Sequence, residues 1–80
     1  MEKGRIVKSK AGKDKEQFFI VVDFKDSRAY LCDGKTRKLN NPKVKNPKHL
    51  APTSTVAELP ENDKQLRNLL RKFSGTTKED

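Results

Sequence analysis

The sequence is poor in the residues that form cross-links and catalytic sites. It contains one cysteine, Cys32, one histidine, His49, and no tryptophan. A lone cysteine forms no internal disulfide, and no further residues at metal-ligand spacing accompany it. We therefore expect a protein of the reducing cytoplasm that holds no metal and no other cofactor.

Long apolar segments are lacking as well. Hydrophobic residues make up 31% of the 80 residues, and charged residues make up 38%. No apolar run approaches the roughly 20 residues that cross a bilayer, so we expect no membrane partner. A chain of this length forms one domain with a small core.

A convergent catalytic set is also absent. The sequence has no Ser/His/acid combination, no Cys/His pair at a useful spacing and no phosphate-binding loop beyond an isolated glycine. His49 lies in a proline-bounded segment without an acid to orient it. Cys32 follows Leu31 in an apolar segment, where a thiol behaves as a small hydrophobic residue. We expect a protein that is not an enzyme and has no small-molecule substrate.

The chain does have positive charge, and it is unevenly placed. The formal net charge is +8. Residues 1–50 hold 14 Lys and Arg against 6 Asp and Glu, whereas residues 51–80 hold 5 of each kind. The segment from Gly34 to Leu50 contains six cations and no acidic residue. An uncompensated basic run repels itself unless something binds it, so the asymmetry favours a polyanion partner over a face that serves solubility alone.

Hydrophobic alternation predicts the first two strands of a sheet. Residues 4–9 read as a short strand, and residues 17–25 give the strongest strand pattern of the chain. Alternation in the second strand places four residues on one face: Phe18, Ile20, Val22 and Phe24. The opposite face, with Phe19 and Val21, is also mostly apolar, which predicts a central strand covered on both sides.

Turn chemistry predicts a hairpin after the third strand. Residues 29–32 read as that strand, Asp33-Gly34 as a tight turn and residues 36–39 as the hairpin partner. Arg37 and Lys38 would then lie in a strand and point to opposite sides of the sheet.

Asparagine and proline interrupt residues 40–53. Proline lacks the backbone donor that a long ladder needs, so only short strands fit there, near Val44 and over residues 50–53. About five short strands separated by turns predict a mainly β protein, with a small barrel over residues 1–55.

The end of the chain has helical periodicity. After a linker over residues 56–61, residues 62–74 read as a helix that Asn62 caps and Gly75 ends, followed by a disordered tail over residues 75–80. The apolar face of this helix has four residues: Leu66, Leu69, Leu70 and Phe73. The opposite face carries Lys64, Arg67 and Arg71. The apolar face either packs on the barrel, which we favour because the barrel alone has too little core, or binds a partner.

The stretch GRIVKSKAGKDKEQFFIVVDF, residues 4–24, resembles a KOW motif, in which a basic glycine-containing loop joins a short strand to an apolar strand. With RAYLCDG and RKLNNPKVKNPKHLAPT, the similarity extends to residue 53. The chain is similar to the fourteen-e family of large-subunit ribosomal proteins in archaea and eukaryotes, and to bacterial KOW-domain relatives. The resemblance implies an SH3-like barrel that binds ribosomal or other structured RNA.

The loop departs from the family pattern at its second half. The family reads GKDxGK there, whereas this chain has Glu16 in place of the second glycine and Gln17 after it. Glycine allows a positive φ and a close approach to phosphate. We therefore expect Glu16 to remove that freedom and to shift RNA contacts to Lys10, Lys13 and Lys15.

The candidate RNA-binding residues come from the glycine loop and from the acid-free segment. They are Lys10, Gly12, Lys13, Lys15, Lys35, Arg37, Lys38, Lys43, Lys45 and Lys48, with Tyr30 and His49 as weaker additions. Phe18, Phe24 and Phe73 read as core, so we expect recognition through backbone charge and RNA shape rather than base stacking. The alternative is an SH3-like protein-interaction module that uses the apolar face of the helix as its contact surface.

Overall fold

The structure is a computed structural model that describes residues 1–78, with side chains through Phe73. It contains five strands, one 3₁₀ turn and one α-helix. The strands are β1 (Arg5–Ser9), β2 (Phe18–Lys25), β3 (Arg28–Cys32), β4 (Lys43–Lys45) and β5 (Leu50–Val56). The 3₁₀ turn Pro47–His49 precedes β5, and the helix α1 spans Asp63–Lys78.

The five strands form one antiparallel sheet in the order β4-β3-β2-β1-β5. Strands β4 and β5 lie at opposite edges, although only residues 46–49 separate them in the chain. The sheet therefore curls, and Lys45 of β4 donates a hydrogen bond to the Ser9 hydroxyl of β1 at 2.8 Å. The fold is thus the expected small barrel of the SH3-like type with a C-terminal helix.

Both faces of β2 are buried, as predicted for a central strand. Phe19 and Val21 point into the barrel core, whose buried members are Val7, Phe19, Val21, Ala29, Leu31 and Leu50. Ile20 points to the other side, into a helix-side core formed by Ile6, Ile20, Cys32, Leu66 and Leu70. The helix therefore covers the second face of the sheet, and its apolar face packs on the barrel.

A bulge in β2 changes the predicted alternation after Val22. Val21 pairs with Leu31, but the next pair joins Asp23 to Tyr30, so β2 carries one extra residue. An extra residue shifts the side chains that follow to the other face. Phe24 accordingly packs on the barrel core and not beside Ile20, which corrects its predicted face.

The helix α1 begins where the sequence predicts it but ends later than predicted. The Asn62 side chain accepts a hydrogen bond from the Gln65 backbone N–H at 2.9 Å, as expected of a cap. The helical backbone then continues through Gly75 to Lys78. A glycine inside a helix costs only about 1 kcal/mol relative to alanine, and no proline follows it. Residues 75–78, which were predicted to belong to a disordered tail, are therefore the last residues of the helix. Residues 79–80 of the predicted tail lie outside the described residues.

The predicted strand over residues 36–39 is absent from the structure, which has a loop there. One carboxylate oxygen of Asp33 accepts the backbone N–H groups of Lys35 and Arg37 at 2.9 and 2.8 Å. The Arg37 carbonyl in turn accepts from the backbone N–H groups of Asp33 and Gly34. These local bonds use the backbone groups that a strand would need, so β4 pairs with β3 instead. Arg37 and Lys38 are consequently loop residues.

The one helix of the described chain is neither long nor apolar enough to span a membrane.

Candidate nucleic-acid interface

Four basic segments meet at one end of the barrel, which we call the loop end. They are the β1–β2 loop (residues 10–17), the β3–β4 loop (residues 33–42), strand β4 and the 3₁₀ turn. The backbone N–H of Lys10 donates to the His49 carbonyl at 2.8 Å, which joins the first loop to the 3₁₀ turn. The curl of the sheet thus brings together cations that are far apart in the sequence.

Asp14 is the centre of the hydrogen-bond network at the loop end. Asp14 is buried, with only 8% of its surface exposed. One carboxylate oxygen accepts from the Lys45 ammonium at 2.6 Å and from the Ser9 hydroxyl at 2.7 Å. The other oxygen accepts from the Lys43 ammonium at 2.7 Å. Lys45 also donates to the Ala11 carbonyl at 3.1 Å, so β4 holds the β1–β2 loop through side-chain and backbone acceptors.

Two opposing effects act on the ionisation of Asp14. Burial raises the pKa of this carboxyl, but the hydrogen bonds from Lys43, Lys45 and Ser9 together outweigh burial. The pKa of Asp14 therefore lies well below that of an ordinary aspartate. The carboxylate stays charged at neutral pH and keeps both ammonium groups in place.

This network corrects the prediction that the acid-free segment lacks neutralisation. Lys43 and Lys45 are both ion-paired with Asp14, which lies about thirty residues earlier in the chain. The Lys45 side chain is only 11% exposed, so it acts as a structural cation. The Lys43 side chain is 33% exposed and also lines a surface cleft.

An open cleft of about 330 Å³, the loop cleft, separates the β1–β2 loop from the β3–β4 loop. Its lining consists of three cations, two acids and three uncharged residues: Lys13, Arg37 and Lys43, Asp14 and Asp33, and Gln17, Phe19 and Thr36. Both acids are engaged within the domain, Asp14 with the ammonium groups of Lys43 and Lys45 and Asp33 with backbone N–H groups. Its cations come from three different segments and converge on one concave surface. Such a surface suits an anion with several oxygen atoms, because each cation can approach a different oxygen.

A second open cleft of about 290 Å³, the helix cleft, lies beside the first at the junction of barrel and helix. Lys35, Arg67 and Arg71 contribute its cations, and Phe18 and Leu70 contribute apolar surface. Sequence reasoning placed both arginines on the solvent side of the helix and did not include them in the site. The sequence does place Arg67 and Arg71 directly after the apolar residues Leu66 and Leu70. Side chains at the border of an apolar helix face lie next to the surface that the face covers, so these neighbours could have indicated the position of both arginines.

Glu16 adopts a left-handed backbone conformation, which glycine reaches more readily than other residues. Its φ is +77°, and its backbone N–H donates to the Ser9 carbonyl at 2.8 Å. A positive φ is therefore present at this residue although it is not a glycine, which corrects that part of the expectation, whereas the shift of RNA contacts to other lysines stays a prediction. The side chain forms an ion pair with Lys8 at 2.9 Å, which lowers the pKa of Glu16. The loop tip thus keeps its shape and carries a negative charge that Lys8 balances.

Six predicted RNA-binding lysines are exposed and form no ion pair within residues 1–73. They are Lys10, Lys13, Lys15, Lys35, Lys38 and Lys48. Gly12 is exposed as well, with a φ of +87° at the tip of the first loop. His49 is exposed on the 3₁₀ turn next to Lys48. These residues all belong to the loop end.

Tyr30 does not join this group. It lies within β3, paired with Asp23 and Val44, and the Lys25 ammonium lies 5.2 Å from its ring centroid. Lys25 is the last residue of β2, at the other end of that strand from the β1–β2 loop. The aromatic ring that does reach the loop end is that of Phe18, which is half-buried and lines the helix cleft. Phe18 packs against the helix-side core, as predicted, and its exposed part lines the helix cleft.

The thiol of Cys32, the other group with possible reactivity, is packed inside the protein. Cys32 is buried in the helix-side core, and burial followed by the nearby Asp63 and Asp33 raises the pKa of its thiol to about 11. The thiol donates to the Lys38 carbonyl at 3.3 Å. Within the described residues, no three side chains of His, Cys, Asp or Glu come together as metal ligands.

No protein-family model matches the chain, and no curated protein matches it either. The resemblance to the KOW and fourteen-e ribosomal families, which residues 4–53 carry, therefore stays a prediction.

Proposed function

We propose that this protein is a non-enzymatic RNA-binding domain that takes structured RNA, ribosomal RNA in particular, at the loop end of its barrel. The observation that carries the proposal is the loop cleft. Lys13, Arg37 and Lys43 reach one concave surface from three segments of the chain. Phosphate groups are the ligands that such a set of cations fits best, because each ammonium or guanidinium group can pair with a separate oxygen.

The surroundings of the cleft support the same partner. The segments of the loop end carry six exposed lysines that form no ion pair within residues 1–73. Like charges that crowd together repel each other, and a bound polyanion removes that repulsion. The Asp14 network fixes the loop against β4 before any ligand arrives, so little loop ordering remains to be done on binding.

The cations of the loop end are better suited to the RNA backbone than to base sequence. Lysine ammonium groups act as point charges on phosphates, and the loops on either side of the loop cleft can follow the shape of a folded RNA. We therefore propose recognition by backbone charge and shape, with ribosomal proteins as neighbours where the RNA is ribosomal. A cytoplasmic location is part of this proposal, and the single buried thiol suits it.

The alternative function, an SH3-like protein-interaction module, requires the apolar face of the helix to be exposed to a partner. Leu66 is fully buried and Leu70 is 6% exposed, because the helix packs on the sheet. Their apolar face is therefore already occupied within the domain and offers little area to a partner.

A filter-binding titration with a ribosomal RNA fragment over a series of salt concentrations tests the proposal. If n phosphates are neutralised, log K falls with log salt at a slope of about −0.7n to −0.9n. We expect a slope that corresponds to several phosphates. A flat salt response, or no binding at low salt, would refute the proposal.

Sedimentation of a cell lysate through a gradient then identifies the RNA. Migration with large ribosomal subunits at physiological salt, lost after nuclease treatment, is expected for a ribosomal partner. A position at the top of the gradient would point to a free factor that binds another structured RNA.

A further inference from the structure

The helix cleft combines an aromatic ring with cations, which the loop cleft does not. Phe18 is half-buried at its wall, and Leu70 supplies further apolar surface. The Phe18 ring packs against Phe73, with 5.6 Å between ring centroids and 36° between ring planes. The Lys8 ammonium lies 5.8 Å from the Phe18 centroid. These contacts hold the ring in one place at the edge of the cleft.

Three cations from two elements border this apolar surface. Lys35 comes from the β3–β4 loop, and Arg67 and Arg71 come from the helix. The Arg67 guanidinium donates to the Gly34 carbonyl at 2.8 Å, which fixes its orientation and leaves other donors of its fork available. A ring next to fixed cations is the combination that proteins use to bind the bases and phosphates of an unpaired strand.

The two carboxylates in the cleft are already engaged. Glu16 is paired with Lys8 at 2.9 Å. Asp33 accepts the backbone N–H groups of Lys35 and Arg37 with one of its oxygens. Their negative charges are therefore partly balanced within the domain, and the excess charge around the cleft is positive.

The helix cleft and the loop cleft are adjacent. Gln17 and Asp33 line both of them, so these two residues form the border that the clefts share. A nucleic-acid strand whose phosphates lie in the loop cleft reaches the helix cleft with its next nucleotides. The volume of about 290 Å³ is at the lower end of the range for small-molecule sites, which suits one nucleoside.

We propose that the helix cleft binds one unpaired nucleotide of the RNA, with its base against Phe18 and its phosphate at Lys35, Arg67 and Arg71. This inference rests on the proposed function and deepens it. The C-terminal helix then serves both as a cover for the sheet and as part of the RNA-binding surface. The ligand class becomes structured RNA with an unpaired segment at a helix end, bulge or loop.

The test compares two RNA probes with equal duplex portions. One is a blunt 12-base-pair RNA duplex, and the other is the same duplex with a three-nucleotide 3′ overhang. We expect the overhang to tighten binding of the full chain by roughly fivefold or more, since stacking one base on an aromatic side chain is worth that much. Arg71→Gln should remove most of this gain, so that the affinities of this variant for the two probes become nearly equal.

Two further variants complete the design. Arg28→Gln removes the same charge from an exposed residue at the other end of the sheet and should leave the overhang gain intact. Phe18→Leu keeps an apolar side chain but loses the ring, and it should also remove the gain.

Each result points to one conclusion. If the wild-type protein binds both probes equally, or if Arg71→Gln and Phe18→Leu keep the gain, this inference is refuted and the proposed function stands. If the wild-type protein binds neither probe, nor the ribosomal RNA fragment, the proposed function is refuted, and the inference that depends on it is refuted as well.

Discussion

The carboxylate of Asp14 lies 2.6 Å from the ammonium nitrogen of Lys45, and this ion pair joins the tip of the β1–β2 loop to the edge strand β4. The two residues are 31 positions apart in the sequence. Lys43 occupies the second carboxylate oxygen at 2.7 Å, so one buried acid orders two cations of the loop end. The same contact holds the edge strand β4 against the β1–β2 loop and arranges the basic surface of the loop end.

Asp14→Asn should destabilise the protein by about 1–3 kcal/mol, because it leaves the partly buried Lys45 ammonium without its counter-charge. Chemical denaturation at neutral pH measures this difference. Asp26→Asn is the matched control, since Asp26 is exposed in the turn between β2 and β3 and tolerates asparagine at its φ of +54°. An equal effect of the two changes would contradict the structural role of Asp14.

The same pair predicts a dependence of stability on pH. The pKa of Asp14 is lower in the folded state than in the unfolded chain, where an aspartate titrates near pH 3.9. Its stabilising contribution is therefore complete above that value and is lost as the pH falls below it. The difference in unfolding free energy between the wild type and Asp14→Asn should accordingly shrink when denaturation is repeated at pH 3 instead of pH 7. A difference that stays constant over this range would show that the ion pairs contribute little.

Glu16 offers a test of backbone strain at the loop tip. A non-glycine residue in the left-handed region costs roughly 1 kcal/mol, and Glu16 has a φ of +77°. Glu16→Gly and Glu16→Gln both remove the ion pair with Lys8, but only the glycine relieves the backbone. We expect the glycine variant to be the more stable of the two by about 1 kcal/mol in thermal denaturation. Both variants should bind RNA more tightly than the wild type, because each removes a negative charge from the loop end.

Gly34 marks the place where the helix meets the β3–β4 loop. A Cβ at this residue would lie 2.7 Å from the Asp63 carbonyl oxygen and 2.9 Å from Cγ of Arg67, and the φ is +82°. Gly34→Ala should therefore lower the free energy of unfolding by about 2–3 kcal/mol, through both strain and displacement of the helix. Gly12→Ala shares a positive φ, but its Cβ would meet nothing closer than 3.7 Å. Urea denaturation should show a clearly smaller loss for the Gly12 variant, and equal losses would argue against close helix contact at Gly34.

Cys32 should resist modification in the folded protein. Burial raises the pKa of its thiol to about 11, and the thiolate is the form that reacts. Alkylation at pH 8 should be slow in native buffer and fast in denaturant, as followed by mass spectrometry. Rapid modification of the native protein would contradict the packing of Cys32 beneath the helix.

Local pattern was enough to predict most of the fold. Alternation identified β2, and the helical spacing of Leu66 and Leu70 correctly indicated a helix that packs on the sheet. The bulge at Val22 and the loop over residues 36–39 were missed, because both depend on hydrogen bonds that composition does not reveal. The pairing of β3 with β4 is a long-range outcome of the same local bonds.

The site was harder to predict than the fold. Counting charges along the chain marked Lys43 and Lys45 as uncompensated, whereas the curl of the sheet brings both to Asp14. The contribution of Arg67 and Arg71 was missed for the same reason, since the helix reaches the loop end only through tertiary packing. The exposed lysines of the β1–β2 loop needed no such information, because their exposure follows from the loop itself.

One comparison tests the central claim most directly, namely that RNA binds at the loop end. Filter binding of a ribosomal RNA fragment is measured across a salt series for the wild type, for the double variant Lys13→Gln/Arg37→Gln, and for Lys25→Gln/Arg28→Gln at the other end of the sheet. Both variants lower the net charge by two. We predict that the loop-end variant weakens binding and makes the salt slope shallower by about 1.4–1.8, the value for two lost phosphate contacts, while the other variant changes the slope little. Equal losses of affinity and slope in the two variants would contradict a defined RNA-binding face and leave only the net charge of the domain to explain any binding.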